Sequence, residues 1–327
     1  MTATPAPRPL VDRPAPRPAL RLITAIIRNP VLVHELRGRM RGVRAFVVLT
    51  VYLVVMAALA IALYALYLST FASDANSIQG GVLGQTLFTI VTLVEVLLIA
   101  FIVPGFTVDA LTGERERQTY DLLRTTMLRP RTLVIGKLLS ALAYVFLLLL
   151  ATVPLQGIAF LFGGVDVSTL VITFVVLLVT AIGIGAVGVA CSAWQQRTRT
   201  ASAITYGVTI VMLFGLPLAA IGGLALLGPY LVGGLNTNTS LQTGTVLLYA
   251  TGLLLSLNPF TAIYISQSLL TDRGAGVFTE TLSNANGSIS VPLISPWIIF
   301  TGWYLLFSAV LIALAVRAVS RVERAET

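Results

Sequence analysis

Histidine, cysteine and lysine each occur once in 327 residues, as His34, Cys191 and Lys137. A single cysteine excludes an intramolecular disulfide, and a single histidine leaves no cluster for zinc or di-iron chemistry, so a catalytic metal site is not expected. An intramembrane protease built on histidines is excluded on the same ground. Charge is scarce too: only 10% of residues are Asp, Glu, Lys or Arg, against 57% hydrophobic and a mean hydropathy of +0.93. That balance excludes a soluble domain and makes the chain an integral membrane protein. Gly136-Lys137 invites comparison with a phosphate-binding loop, but Arg131 stands where the first glycine is needed and Leu138 where Ser or Thr is needed. Ser192 and the other small hydroxyls have no base in reach by sequence, so nucleophilic catalysis is not expected either. The chain reads as a non-enzyme.

The charge that is present is arranged. Of 21 basic residues, nine lie in 1–44, six in 109–137, two in 194–202 and three in 317–327, with Arg273 alone elsewhere. A surplus of arginine confined to alternate loops is the positive-inside signature and assigns these four segments, both termini included, to the cytoplasm. The net charge of +8 therefore reads the membrane and not nucleic acid. Twenty arginines against one lysine look like a GC-rich prokaryotic genome, which points to the inner membrane of a prokaryote.

Residues 1–19 interleave six prolines with Arg and Ala and are expected to be a disordered tail. In 20–44, Leu22, Ile23, Ile26 and Ile27, then Val31 to Leu36 with Arg37, Arg39, Arg41 and Arg44, make an interfacial amphipathic segment. A single transmembrane domain over 45–316 follows, with spans expected at about 45–68, 82–108, 138–162, 170–193, 203–227 and 297–316, and a short tail at 317–327. Each is about long enough, at roughly 1.5 Å per residue, to cross a hydrocarbon core of roughly 30 Å. Pro104 and Pro217 are expected kinks, and Gly183, Gly185, Ala186, Gly188 and Ala190 let the fourth span approach its neighbours closely. Counting Val246–Leu270, interrupted at Asn258-Pro259, as a seventh span would put Arg317, Arg321 and Arg324 outside. The charge rule instead favours a broken, re-entrant pair of half-helices on the outer side.

Near the centre of the second span sits Glu95, the only ionisable side chain expected in mid-membrane. Such a carboxylate marks a function by default, lining a path or a subunit interface. The alternative is a protonated or hydrogen-bonded glutamic acid that joins helices, with Gln85 or Thr92 on its own helix as partners.

The most informative stretch is the polar island Asp109–Lys137, set between the second and third spans. Tyr120, Leu123 and Met127 recur at helical spacing, while Glu114, Arg117, Asp121 and Arg124 follow three or four residues apart on another face, which predicts a short surface helix. Pro130 then breaks the chain and suits the first turn of the next helix. The order Gly113-Glu114-Arg115-Glu116-Arg117-Gln118-Thr119, then Asp121-Leu122-Leu123, Arg129-Pro130-Arg131 and Gly136-Lys137 resembles the cytoplasmic loop of the type-2 permease family of ATP-binding-cassette (ABC) exporters. There the loop carries a G-E-R-E-x-G/Q-T pattern and closes with G-K. Asn29-Pro30-Val31-Leu32 with Glu35-Leu36-Arg37 likewise resembles that family's elbow helix.

The resemblance implies an all-helical permease of six spans, with an elbow helix before the first, a coupling helix between the second and third, and an external hairpin between the last two. It implies pairing with a second copy or a related permease, and two cytoplasmic ATPase subunits that hold the ATP and magnesium; no cofactor is expected in this chain. Glu114, Arg115, Glu116, Arg117, Thr119, Asp121 and Arg124 are the residues it points to for ATPase coupling. Substrate is not legible, though apolar and small lining residues favour a hydrophobic or amphipathic cargo. A secondary transporter would place several polar groups at mid-membrane and show inverted repeats, and a non-transporting scaffold would not couple to nucleotide hydrolysis.

Overall fold

The computed structural model describes residues 43–71, 80–118, 130–219, 221–222, 241–273, 277–284 and 287–325. The proline-rich tail 1–19 and nearly all of the interfacial segment 20–44, where the elbow helix is expected, lie outside them.

Long apolar runs uninterrupted by charge become long helices, because in lipid every backbone polar group must be satisfied within its own segment. These are α1 (Val43–Phe71), α2 (Gly80–Thr107), α4 (Pro130–Leu161), α5 (Val167–Trp194), α6 (Thr198–Ile210) and α9 (Pro296–Ala325), with a short α3 (Asp109–Glu116) directly after α2. Six helical stretches among the described residues are long and apolar enough to cross a membrane. Pro130 opens α4, as a residue with fixed φ and no N–H suits a first turn, so the third helix starts eight residues before the expected span. At the other end of the chain α9 runs past Val316, so Arg317, Arg321 and Arg324 extend the last helix.

Helices α2, α4 and α5 form the buried centre, while α1, α6 and α9 present apolar side chains such as Val54, Val211, Leu306 and Val310 outward. The core gathers Val103, Leu138, Val145, Leu177, Ile184, Phe300 and Tyr304 from these helices. Hydrophobic burial drives little association between helices already in lipid, and close packing has to supply it. Gly183 meets the Tyr304 ring of α9, where an added Cβ would stand 2.5 Å from Cδ1, and Gly188 meets Thr107 of α2, where it would stand 2.0 Å from Oγ1. The small residues of α5 are thus fitted to two different neighbours.

Helix α6 continues through a π-helical turn at Val211–Gly215 and resumes as far as residue 219. Pro217 lies two residues beyond the turn, and its missing N–H leaves the Leu213 carbonyl without an α-helical donor. Asn258 fills that need: its Nδ2 donates to the carbonyls of Leu213 (2.8 Å) and Met212 (3.0 Å). The same side chain accepts from the N–H of Phe260 (2.9 Å) at the start of the next helix. Asn258 lies between α7 (Leu241–Ser256) and α8 (Pro259–Arg273), whose axes are bent by 118° at this break. One side chain therefore caps the backbone of a π-turn and of a helix break together.

The stretch between α8 and α9 is, over its described residues, not helical. It holds a two-stranded antiparallel ribbon, β1 (Val277–Asn284) and β2 (Gly287–Ile294), in register from Val277 opposite Ile294 to Asn284 opposite Gly287. Only residues 285–286 separate the strands, a connection length that suits a tight hairpin. The Tyr249 hydroxyl of α7 donates to the Pro292 carbonyl (2.6 Å), tying ribbon to helix.

Candidate functional site

Helix α3 forms because its polar and apolar residues separate: Ala110, Leu111 and Thr112 are buried, Glu116 and Arg117 exposed. It ends at Glu116. The N–H groups of Arg117 and Gln118 turn back to the carbonyls of Gly113 and Arg115, and Gln118 takes a left-handed φ of 58°. The expected helix through Glu114, Arg117, Asp121 and Arg124 is therefore interrupted at Gln118, where left-handed backbone cannot continue an α-helix. Thr119, Asp121 and Arg124 lie outside the described residues, as do Tyr120, Leu123 and Met127.

A helix leaves four N–H groups and four carbonyls without internal partners, and the N-termini of α3 and α6 that meet here lack a cap from their own N-cap side chains. Neighbouring helices cap them instead. Ser192, near the end of α5, accepts from the N–H groups of Leu111 (2.9 Å) and Thr112 (3.0 Å) in the first turn of α3. In return the Arg115 guanidinium donates to the carbonyls of Gln195 (2.7 Å) and Ala193 (3.2 Å) at the C-terminus of α5. Glu116 Oε1 accepts from the N–H of Thr198 (2.7 Å), the first residue of α6, and the hydroxyls of Thr198 and Thr112 lie 3.0 Å apart. A cation at a helix C-terminus and an anion at a helix N-terminus both suit the macrodipole. The Thr198 N–H and hydroxyl, with Arg199 and Arg197 nearby, hold the Glu116 carboxyl below the usual carboxylate range.

The fourth tie runs to α4. Lys137 Nζ lies 3.1 Å from Glu114 Oε1, with the lysine side chain 5% and the glutamate 29% exposed. An ammonium that deep needs its counter-charge, so this pair fixes α3 against the start of the third helix far more firmly than an exposed pair would. Of the residues singled out for coupling, the structure thus turns Glu114, Arg115 and Glu116 onto neighbouring helices of the same chain and leaves Arg117 exposed. The capping roles of Ser192, Gln195 and Thr198 are not legible in the sequence, because each stands some 80 residues from the group that it meets.

Glu95 forms a second polar cluster. It is fully buried, and its partners are not Gln85 or Thr92, whose hydroxyl turns to the Phe88 carbonyl, but residues of α1 and α4. The Tyr52 hydroxyl donates to Oε1 (3.1 Å), the Thr152 hydroxyl contacts the same oxygen (2.5 Å), and Gln156 Nε2 donates to Oε2 (2.7 Å). Three helices are joined through one carboxyl group. Thr152 and Gln156 stand four residues apart, on one face of α4. No group of three or more metal-ligating side chains occurs among the described residues.

A family model described as "ABC-2 family transporter protein" matches residues 30–322 of the chain. No curated protein matches it at a significant level.

Proposed function

The chain belongs to the ABC-2 family of transporter proteins, and from that premise we propose that this multi-pass permease is the membrane subunit of an ATP-driven exporter. It forms the translocation path with a second copy or a related permease. Separate cytoplasmic ATPase subunits bind ATP and magnesium and carry out the hydrolysis. Both termini lie in the cytoplasm of a prokaryotic cell, a placement that the distribution of arginines supports.

The observation that carries the coupling role is the set of ties around α3. Through Glu114, Arg115, Glu116 and Ser192, a helix of eight residues is fastened to α4, α5 and α6. A push on the loop that follows it reaches three spans at once. In this reading Arg117, Thr119, Asp121 and Arg124 meet the ATPase, while Glu114, Arg115 and Glu116 pass its closing motion to the spans. Glu95 takes the second of its two roles, holding α1 to α2 and α4 so that the three move together.

Co-expression with a cognate ABC ATPase tests recruitment. The wild-type permease is expected to co-purify with the ATPase, and Arg117→Glu to weaken that association while the permease still elutes as a single folded species. A wild-type chain that brings down no ATPase would count against the reading and favour the scaffold or secondary-transporter alternatives.

A further inference from the structure

In the half of the bundle away from α3, helices α1, α2 and α4 enclose a cavity of about 390 Å³, within the range of roughly 300–1,000 Å³ usual for small-molecule sites. Ala60, Leu87, Val91, Ile158 and Ala159 are among its walls, and no charged side chain lines it. Gln156 does line it, and this amide is 2% exposed. Its nitrogen donates to Glu95 Oε2, and its oxygen is buried with no hydrogen-bond partner. Buried polar atoms in folded proteins are nearly always satisfied, so this acceptor calls for a donor.

Water is a poor candidate. A buried water needs two to four polar partners, and of the residues lining this chamber only Gln156 and Tyr64 carry a polar group. A cation is excluded by the apolar walls and an anion by the lack of any positive group. What fits is an uncharged molecule with an apolar body and one hydrogen-bond donor. Its source is the bilayer, because Ile61 and Ile158, which line the cavity from α1 and α4, are exposed apolar side chains. We propose that this cavity binds a neutral membrane amphiphile bearing one free hydroxyl, which donates to Gln156 Oε1 while its chain lies between α1, α2 and α4. The site belongs to one protomer and does not depend on ATPase coupling.

The test uses the full-length protein in lipid nanodiscs with two photoactivatable probes, a long-chain primary alcohol and its methyl ether, which differ only in the donor. The alcohol should label cavity-lining peptides of α1, α2 and α4 about tenfold more than the ether, the scale of one hydrogen bond in an apolar site. Ala60→Phe, which fills the cavity and leaves Gln156 and Glu95 in place, should abolish that labelling. Should this variant fail to fold, competition on the wild type decides: unlabelled dodecanol should displace the probe and its methyl ether should not. Equal labelling by both probes, labelling that survives Ala60→Phe, or equal competition by both compounds would overturn the proposal.

Discussion

Arg115 and Glu116 are adjacent in the chain and serve the two ends of one turn, Arg115 closing the C-terminus of α5 and Glu116 the N-terminus of α6. The short turn Gln195 to Arg197 between these helices supplies no side-chain cap to the start of α6. Its helix ends are completed from outside, by a segment that precedes them in sequence by a whole pair of spans. Removing either side chain would expose helix-end groups and take away one of the ties on α3 together.

The Glu116 contact sets a pH dependence. Its carboxyl is held below the ordinary value of 4.5 by Thr198 and by Arg199 and Arg197. A depressed folded-state pKa means that the contribution is present above the unfolded value and is lost as pH falls through the folded one. Wild type should therefore melt above Glu116→Gln at pH 7, and the gap should narrow only below about 4.5. A gap that is constant from pH 7 to pH 3 in detergent melting curves would argue against an ionised Glu116 at this cap.

Glycines of α5 and α6 should respond to alanine in opposite directions. Gly188→Ala places a Cβ 2.0 Å from Thr107 Oγ1 and 2.9 Å from its Cβ, a collision that costs about 1–3 kcal/mol. Gly207→Ala meets nothing within 4 Å and should be neutral, or stabilising by up to about 1 kcal/mol through helix propensity. Relative thermal stability of the two purified variants checks the prediction.

For Glu95, shape and polarity matter more than charge. Glu95→Gln keeps an acceptor for Gln156 and polar contacts for Tyr52 and Thr152, and should fold. Glu95→Leu leaves those three buried groups without their partner and should lose about 2–4 kcal/mol. Limited proteolysis in detergent, with cleavage accelerating only in the leucine variant, would bear this out.

Asn258→Leu removes the donor from the carbonyls of Met212 and Leu213 and the acceptor from the N–H of Phe260 at one stroke. Hydrogen exchange should rise around both the π-turn of α6 and the α7–α8 break. A change confined to one of them would show that the two sites are not linked through this side chain.

The sequence announces what depends on local composition. Apolar runs give the spans, Pro130 gives the start of α4, and the small residues of α5 give its close packing. What it hides depends on residues far apart: Glu95 meets partners 43, 57 and 61 positions away, and Ser192 caps a helix 80 residues before it. The ribbon has a local signal of its own: its strands are rich in Val, Ile, Thr and Ser and are separated by two residues only, which is a hairpin pattern. Charge spacing runs on through Gln118, whereas the left-handed backbone that interrupts the helix there leaves no mark in that spacing.

The most direct test of the account is the rate of ATP hydrolysis in lipid by the complex of this permease with its ATPase, compared with the ATPase alone, for wild type and for Arg115→Ala/Glu116→Ala. The account predicts that wild type shifts the ATPase rate, and that the double variant still binds the ATPase through the exposed loop but leaves its rate as in the free enzyme. A double variant that alters the rate as fully as wild type does would contradict the claim that α3 and its caps connect the ATPase to the spans.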